Sequence, residues 1–302
     1  MENWLDLHMH SCYSGDGEYE PGRLMELCAE AGLKTVALAD HNSVQGIAAA
    51  RKRAHELGLT YLNAVEIDCR YAGRTFHLLA YGIREDDAFF INLEKEFHKQ
   101  QLTAGEQLLQ LVKAQGFHFD EQAARELAGN GGVEAEQIAE VMLADSRNDS
   151  DERLQCYRPG GSRSDNPLVN FFWDFCADGK PCNVPMEFPS FADMVDQIHA
   201  SGGAAVLAHP GANIGQDKLM ADGLIRTGID GIEAFSNYHD AATRHFYQTL
   251  AEKNGLIVTA GSDFHGKCKP SIHYGELVHP YPLVTCERLN QLIYERGGQI
   301  LA

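Results

Sequence analysis

The sequence lacks a basic surplus and long hydrophobic runs. Its 302 residues contain 25 Lys and Arg against 43 Asp and Glu, so the net charge is −18 with neutral histidines. A protein that binds duplex DNA or an anionic membrane normally presents a basic surface, and we expect neither partner here. No apolar run approaches the roughly 18 residues that a membrane-spanning helix needs.

Paired cysteines are also missing. The eight cysteines are scattered without a C-x-x-C pair, which argues against a zinc ribbon or a small disulfide framework. Free thiols fit a reducing compartment, and the N-terminal residues show no basic and apolar leader pattern. We therefore expect a soluble cytoplasmic protein.

Short apolar runs alternate with amphipathic stretches in two parts of the chain. Strand-like runs stand at 5–7, 35–39, 61–69 and 75–81, and helical patterns at 21–32 and 47–57. From Phe188 the alternation resumes, with strands at 204–208, 231–235 and 256–260 and helices at 191–200, 241–254 and 287–295. This alternation predicts βα units around a mostly parallel sheet.

The middle of the chain has a different pattern. Helical patterns at 88–115, 121–128, 133–144 and 168–177 contain little strand material, and the polar stretch 145–166 predicts a mobile loop. We predict a helical insertion at 84–185 within an α/β domain formed by 1–83 and 186–302.

Histidines and acids follow the predicted strands. His8 and His10 end the first strand and, being two residues apart, point the same way and can share one metal. Catalytic groups of α/β barrels collect at the carboxyl ends of strands. The other ligand-type residues at predicted strands or strand ends are Asp40, His41, Glu66, His77, His209, Asp263 and His265.

A single histidine near a strand end is more often structural than a ligand, so the argument depends on the recurrence of such residues at several strand ends.

A protein nucleophile is less favoured. Ser262 and Cys12 lie near these residues, but neither has an elbow motif, and metal-activated water needs no such group.

The motifs together resemble the PHP family, the polymerase and histidinol phosphatase domain. They are Asp6-Leu7-His8-Met9-His10-Ser11 with the following 13–17, Ala39-Asp40-His41, Ala64-Val65-Glu66-Ile67, Phe76-His77-Leu78, Leu207-Ala208-His209-Pro210-Gly211 and Gly261-Ser262-Asp263-Phe264-His265. The resemblance implies a distorted (β/α)7 barrel with a trinuclear site for Zn, Mn or Fe, about two or three ions per chain.

The resemblance also implies which residues bind each ion. It places His8, His10, Glu66 and Asp263 on one metal, Asp16, His41 and His265 on a second, and Glu66, His77 and His209 on a third. In this chain Gly15 precedes Asp16, whereas the family often has Ser-Asp-Gly directly after the first two histidines. Two alignments of this loop with the family motif are therefore possible. Such a site would draw in phosphate and activate water for attack on phosphorus.

Two further residues are catalytic candidates beside the ligands. Asp40 either orients a ligand histidine or caps the following helix. His239 lies at a strand end, where a contact with substrate and a purely structural role are equally expected. For a distal phosphate, we expect contacts from Lys267 or Lys269, with Lys180 as a further choice, each equally consistent with a solvated surface lysine.

The insertion bears on the substrate. Related nucleotidases and RNA-trimming enzymes resemble T-R-x-H-F-A-R-x-L there, whereas this chain reads Gly-Val-Glu-Ala-Glu-Gln-Ile-Ala-Glu-Val at 132–141. A second phosphate is usually bound by an Arg side chain that donates two parallel hydrogen bonds to it. We therefore favour a small phosphorylated sugar or nucleotide, preferring a 5-phosphoribosyl 1,2-cyclic phosphate phosphodiesterase. A nucleoside 3′,5′-bisphosphate phosphatase or 5′-3′ trimming of short RNA is the alternative.

Two hypotheses from other classes remain. A non-catalytic, metal-binding regulatory module is disfavoured because all nine expected ligand positions hold competent residues. Amide or lactone hydrolysis is disfavoured because such sites usually centre on a carboxylated Lys, and no Lys lies in the predicted strands.

Overall fold

The computed structural model describes residues 4–277, 279–280 and 282–301. The ends of the predicted α/β domain, residues 1–3 and 302, lie outside the described residues. Eleven α-helices occur within the described ranges. In chain order, α1 to α11 are Pro21–Glu30, Ile47–Glu56, Ala88–Ala114, Glu121–Ala128, Ala135–Ala144, Pro167–Phe171, Phe191–Ala200, Pro210–Ile214, Lys218–Ile225, Ala241–Lys253 and Pro282–Arg296.

The strands form two sheets. The first contains β1 (Leu5–Met9), β2 (Thr35–Leu38) and β3 (Thr60–Tyr61), all parallel. The second has the order β4 (Ala64–Tyr71), β5 (Arg74–Tyr81), β6 (Ala204–Leu207), β7 (Gly231–Ser236) and β8 (Ile257–Gly261). These strands and helices confirm the α/β class.

Strand β5 runs opposite to its neighbours. It pairs antiparallel with β4 through a hairpin at Ala72 and Gly73, and antiparallel with β6, whereas β6, β7 and β8 are parallel. The mostly parallel arrangement was predicted, but this reversal was not, because an eight-residue strand looks the same in either direction. The number of barrel units stays a prediction.

The two sheets meet at both of their edges. A parallel bridge joins Met9 to Phe264, just beyond β8, and another joins His41, just beyond β2, to Glu66 in β4. Both bridges lie where predicted ligand residues stand. The carboxyl ends of β1 and β8 are therefore held together, the carboxyl end of β2 is held against β4, and their side chains converge.

A second hydrophobic core lies in the middle of the chain. The main core covers the strands and the helices outside the middle region, whereas the second is built from buried residues between Leu108 and Cys182 together with Cys268. Helix α3 contacts both: Phe90 packs in the main core, and Leu109 and Val112 in the second. Two cores are consistent with the predicted insertion, whose boundaries 84 and 185 stay a prediction.

The stretch 145–166 is not the loose loop that its polarity predicts. It contains 3-10 turns at Ser146–Asn148 and Glu152–Tyr157, and Leu154 and Tyr157 are buried in the second core. Asp145 and Asp151 each accept a backbone hydrogen bond at the start of a turn. The acids thus cap turns, which explains why a polar composition was misleading.

Candidate metal centre

All nine predicted ligands lie close together at one end of the two sheets. His8 lies within β1 and His10 follows it, Glu66 and His77 come from the neighbouring strands β4 and β5, and His209 follows β6. The loop after β8 adds Asp263 and His265, the end of β2 adds His41, and the loop after β1 adds Asp16. The predicted convergence is therefore present, and the role of these residues as ligands is a proposal.

Glu66 stands in the middle of the histidines. Its Oε1 lies 3.0 Å from His77 Nδ1 and 3.0 Å from His209 Nε2. Its Oε2 lies 3.0 Å from His41 Nδ1 and 3.1 Å from His8 Nε2. A carboxylate with different imidazoles at each oxygen has the arrangement that a bridge between two ions requires.

Asp263 and His265 extend the cluster on the other side. Asp263 Oδ1 lies 3.0 Å from His10 Nε2 and 3.4 Å from His8 Nε2. His265 Nε2 lies 3.2 Å from Asp16 Oδ2 and 3.5 Å from His41 Nε2. Asp16, not another acid of its loop, therefore meets the histidines, which settles the alignment that the sequence left open.

The donor set fits divalent metal ions. Five of its buried atoms lie close to one another but make no hydrogen bond within the described residues: Nε2 of His8, Nε2 of His10, Nδ1 of His41, Oε2 of Glu66 and Oδ1 of Asp263. Buried polar groups are rarely left without a partner. In three groups, the ligand atoms lie within 4.8 Å of one another: His8, His10, Glu66 and Asp263; His10, His41 and His265; and His41, Glu66 and His77. Imidazoles and carboxylates suit Zn, Mn and Fe.

Burial and the neighbouring charges shift the pKa values of the clustered residues in different directions. Burial would raise the pKa of Glu66, but the imidazoles of His8, His77 and His41 hold it well below its usual range. Burial lowers the pKa of His41 to about 4. Burial likewise keeps the pKa of His265 well below its usual value. Burial would also lower the pKa of His8 and His77, but Glu66 and a second carboxylate beside each ring raise it well above the usual value. The cluster thus offers an ionised Glu66 and neutral imidazoles at His41 and His265, and a bound metal would take the place of the protons on His8 and His77.

The backbone is strained at two of these residues. His209 has φ 24° and Asp263 has φ 59°, in the left-handed region that non-glycine residues seldom adopt. Each follows a strand and starts a loop. Such strain persists where the surrounding structure holds it and is typical of functional sites.

Two acids beside the cluster were missed by the sequence interpretation. Glu233 Oε1, in β7, lies 3.0 Å from His8 Nδ1, and its Oε2 accepts the backbone N–H of His209 at 3.0 Å. Asp68 Oδ1 lies 3.0 Å from His77 Nε2. Both could have been found: Glu233 interrupts an apolar strand, and Asp68 stands two residues after Glu66, on the same face of β4.

Asp40 acts on the ligands through two serines. Its carboxylate accepts from the Ser11 backbone N–H at 2.6 Å, from Ser11 Oγ at 2.7 Å and from Ser14 Oγ at 3.0 Å. Ser14 Oγ in turn lies 2.9 Å from His10 Nδ1. Helix α2 starts only at Ile47 and has no side-chain cap. The capping alternative is therefore wrong, and the contacts of Asp40 run through Ser14 to the ring of His10.

The backbone engages both ring nitrogens of His239, and its contact with substrate stays a prediction. Its Nδ1 lies 2.9 Å from the Ala234 carbonyl, and its Nε2 accepts the Gly211 backbone N–H at 2.8 Å. The ring is 2% exposed and stacks on Tyr247. Both ring nitrogens are used by the backbone, so His239 fixes the loop that follows His209.

The three predicted lysines have different surroundings. Lys269 is buried, and its Nζ lies 2.7 Å from Asp263 Oδ2, which also accepts from Tyr238 at 2.5 Å. Lys267 is half-exposed and pairs with Glu140 at 2.7 Å. Lys180 is exposed in the turn that begins at Ala177. Of the three, only Lys269 contacts a predicted ligand.

Residues 6–145 match the family model described as PHP domain. This match assigns residues 6–145 to the PHP domain family. The predicted resemblance is thereby confirmed, and the matched residues include six of the nine clustered residues: His8, His10, Asp16, His41, Glu66 and His77.

Two curated relatives cover most of this chain. A 3′,5′-nucleoside bisphosphate phosphatase of Chromobacterium violaceum is 29% identical and is aligned over 86% of this chain and 87% of its own length. A phosphoribosyl 1,2-cyclic phosphate 1,2-diphosphodiesterase of Eggerthella lenta is also 29% identical, over 89% and 97%. Equal identity to both leaves the substrate undecided.

A solved structure shares the fold. A protein from Bifidobacterium adolescentis, described as a metal-dependent phosphoesterase, superposes with a TM-score of 0.77 over 95% of both chains at 23% identity. Among the described residues of the present chain, no helix has the length and hydrophobicity needed to cross a membrane.

Proposed function

We propose that this protein is a metal-dependent phosphoesterase, acting in the cytoplasm on a small phosphorylated sugar or nucleotide. The observation that carries the proposal is the convergence around Glu66 and Asp263 of five buried ligand atoms that make no hydrogen bond within the described residues. Bound divalent ions, Mn, Zn or Fe, would supply charge neutralisation for the phosphate and lower the pKa of water towards neutrality.

The side chains have separate tasks in this proposal. The nine clustered residues would hold about two or three ions, with Glu66 shared between two of them. Glu233, Asp68 and Ser14 orient three of the imidazoles. The ammonium group of Lys269, which is buried beside Asp263, would bind and orient a phosphate oxygen.

The preferred substrate is 5-phosphoribosyl 1,2-cyclic phosphate. The net charge of −18 disfavours a long polyanion, and the insertion presents Glu134 and Glu136 where arginines would grip a second phosphate. The bisphosphate phosphatase alternative is supported by the equally similar relative of that name. Trimming of short RNA is disfavoured by the charge.

Hydrolysis of the cyclic phosphate and of adenosine 3′,5′-bisphosphate would be compared on protein loaded with Mn²⁺, with bound metal measured on the same samples. We expect faster turnover of the cyclic phosphate and loss of activity on chelation. If only longer RNA is cut, the preferred substrate is wrong. Fewer than about two ions per chain, with no hydrolysis of an aryl phosphate, would favour the non-catalytic module.

A further inference from the structure

Tyr238, in the loop that follows β7, contacts two of the proposed ligands. Its hydroxyl group donates a hydrogen bond to Asp263 Oδ2 at 2.5 Å. Its ring meets the ring of His209 edge to face, with 5.6 Å between the two centroids. Asp263 and His209 are the two ligands whose backbone lies in the left-handed region. Because such strain persists only where neighbouring groups hold it, Tyr238 is placed to hold both residues.

Both partners of the hydrogen bond between Tyr238 and Asp263 are anchored through the backbone. Asn237 Nδ2 donates to the Ser262 carbonyl at 3.0 Å, so the chain after β7 is tied to the residue that directly precedes Asp263. The backbone N–H of Asp263 donates to the His8 carbonyl at 2.8 Å. The hydroxyl group and the carboxylate are therefore held against each other.

The two carboxylate oxygens of Asp263 have different surroundings. Oδ2 accepts hydrogen bonds from Tyr238 and from Lys269, whose Nζ lies at 2.7 Å. Each oxygen of a carboxylate offers about two lone pairs, so these two donors fill Oδ2. Oδ1 makes no hydrogen bond within the described residues and lies 3.0 Å from His10 Nε2 and 3.4 Å from His8 Nε2. Of the two oxygens, Oδ1 is the one available to a metal ion.

We propose that Tyr238 is a positioning residue that, together with Lys269, occupies Oδ2 of Asp263 and makes this ligand bind metal through Oδ1 alone. The inference rests on the proposed role of Asp263 as a metal ligand and requires no particular substrate. A carboxylate that binds through one oxygen takes one coordination position instead of two, and a catalytic metal site needs a position for water or substrate. Lys269 has three N–H groups, so it can bind phosphate while it holds Asp263.

The test measures metal binding directly. Metal-free wild-type protein and variants would be titrated with Co²⁺, whose visible absorption depends on the number and arrangement of its ligands. Tyr238→Phe removes the hydroxyl group but keeps the ring against His209, whereas Tyr238→Leu removes both. The matched control is Tyr157→Phe, because Tyr157, in the second core, donates the same kind of hydrogen bond to Asp174 Oδ2 at 2.8 Å. Thermal unfolding checks that each variant is folded.

We expect Tyr238→Phe to raise the dissociation constant for Co²⁺ about tenfold or more, since partners that orient a ligand contribute roughly 10- to 100-fold to metal affinity. Its Co²⁺ spectrum should also differ from that of the wild-type protein, because a lone pair of Oδ2 becomes free to bind the ion. Tyr157→Phe should match the wild-type protein in both measurements.

Equal affinity and equal spectra in Tyr238→Phe and Tyr157→Phe would overturn the inference. A loss of affinity confined to Tyr238→Leu would overturn it as well, because Tyr238 would then act only by packing against His209. Hydrolysis of an aryl phosphate by the Mn-loaded wild-type protein is measured separately, and its absence beside normal metal binding would overturn the proposed function alone.

Discussion

Glu233 holds the ring of His8 from the side opposite the ligand cluster, with 3.0 Å between Oε1 and Nδ1 and both side chains completely buried. A carboxylate at Nδ1 fixes the tautomer and leaves Nε2 free to bind a metal. The same carboxylate accepts the backbone N–H of His209. One buried acid therefore positions two of the proposed ligands.

Replacement of Glu233 should weaken metal binding without removing a ligand. Glu233→Gln keeps the size of the side chain but loses the charge that holds the imidazole, and such partners are worth roughly 10- to 100-fold in metal affinity. Titration of metal-free protein with Mn²⁺ or Zn²⁺ would measure it. Glu252→Gln, at an exposed position of α10, is the control. Unchanged affinity would mean that Glu233 only fills space.

Gly261 is required because no side chain fits there. A Cβ atom at this position would overlap both the Cβ of His8 and Oε1 of Glu233. Gly261→Ala should therefore displace His8, lower metal content and destabilise the fold by about 1–3 kcal/mol. Denaturant unfolding and metal analysis would test this. Gly22→Ala in α1, where the nearest atom is 3.9 Å away, should show neither effect.

Replacement of His239 distinguishes a positioning role from a contact with substrate. His239→Ala leaves the Gly211 N–H and the Ala234 carbonyl unpaired, and each buried unpaired group costs about 1–3 kcal/mol. We expect lower thermal stability and looser metal binding at His209, the residue whose loop it fixes. His245→Ala, exposed on α10, is the control. A raised KM with unchanged stability and metal content would favour the substrate-contact interpretation.

Lys269 and Lys180 should differ in their effect on substrate binding. Lys269→Met removes a buried ammonium group beside Asp263, and a charge-assisted hydrogen bond of about 1.5–3 kcal/mol predicts a KM roughly tenfold higher or more. Lys180→Met, at an exposed turn, should change nothing. Lys269→Arg should restore part of the binding. A fall in metal content with constant KM would assign Lys269 to the support of Asp263 alone.

Much of the ligand cluster could be predicted because its residues stand at strand ends. His8 and His10 are two apart in a strand, and Asp263 and His265 follow an apolar run, so the sequence pattern locates them directly. The allocation of individual residues to ions came from the family resemblance. It could not come from spacing, because residues such as Asp16 lie in a loop whose path the pattern does not define.

Other features depend on contacts that a linear pattern does not contain. Helices α8 and α9 were not predicted because Pro210–Ile214 is only five residues long and Lys218–Ile225 lacks a long apolar periodicity. The last helix starts at Pro282, before the predicted Glu287, which fits the preference for proline in the first turn. The two backbone partners of His239 could not be predicted, because its sequence position reveals neither of them.

The reversed direction of β5 sets the geometry of the insertion. Because β5 runs away from the ligand cluster, the chain leaves it at the far end of the sheet, where Gly82 bonds to Asn63 and Gln299. Helix α3 has 27 residues, about 40 Å, and contacts both cores on its way to the side of Glu134. One residue more or less within this helix would rotate the residues after the change by about 100° relative to those before it. Gln101, which contacts Glu134, lies midway along α3, so its position against α5 depends on the number of residues between the start of the helix and Gln101.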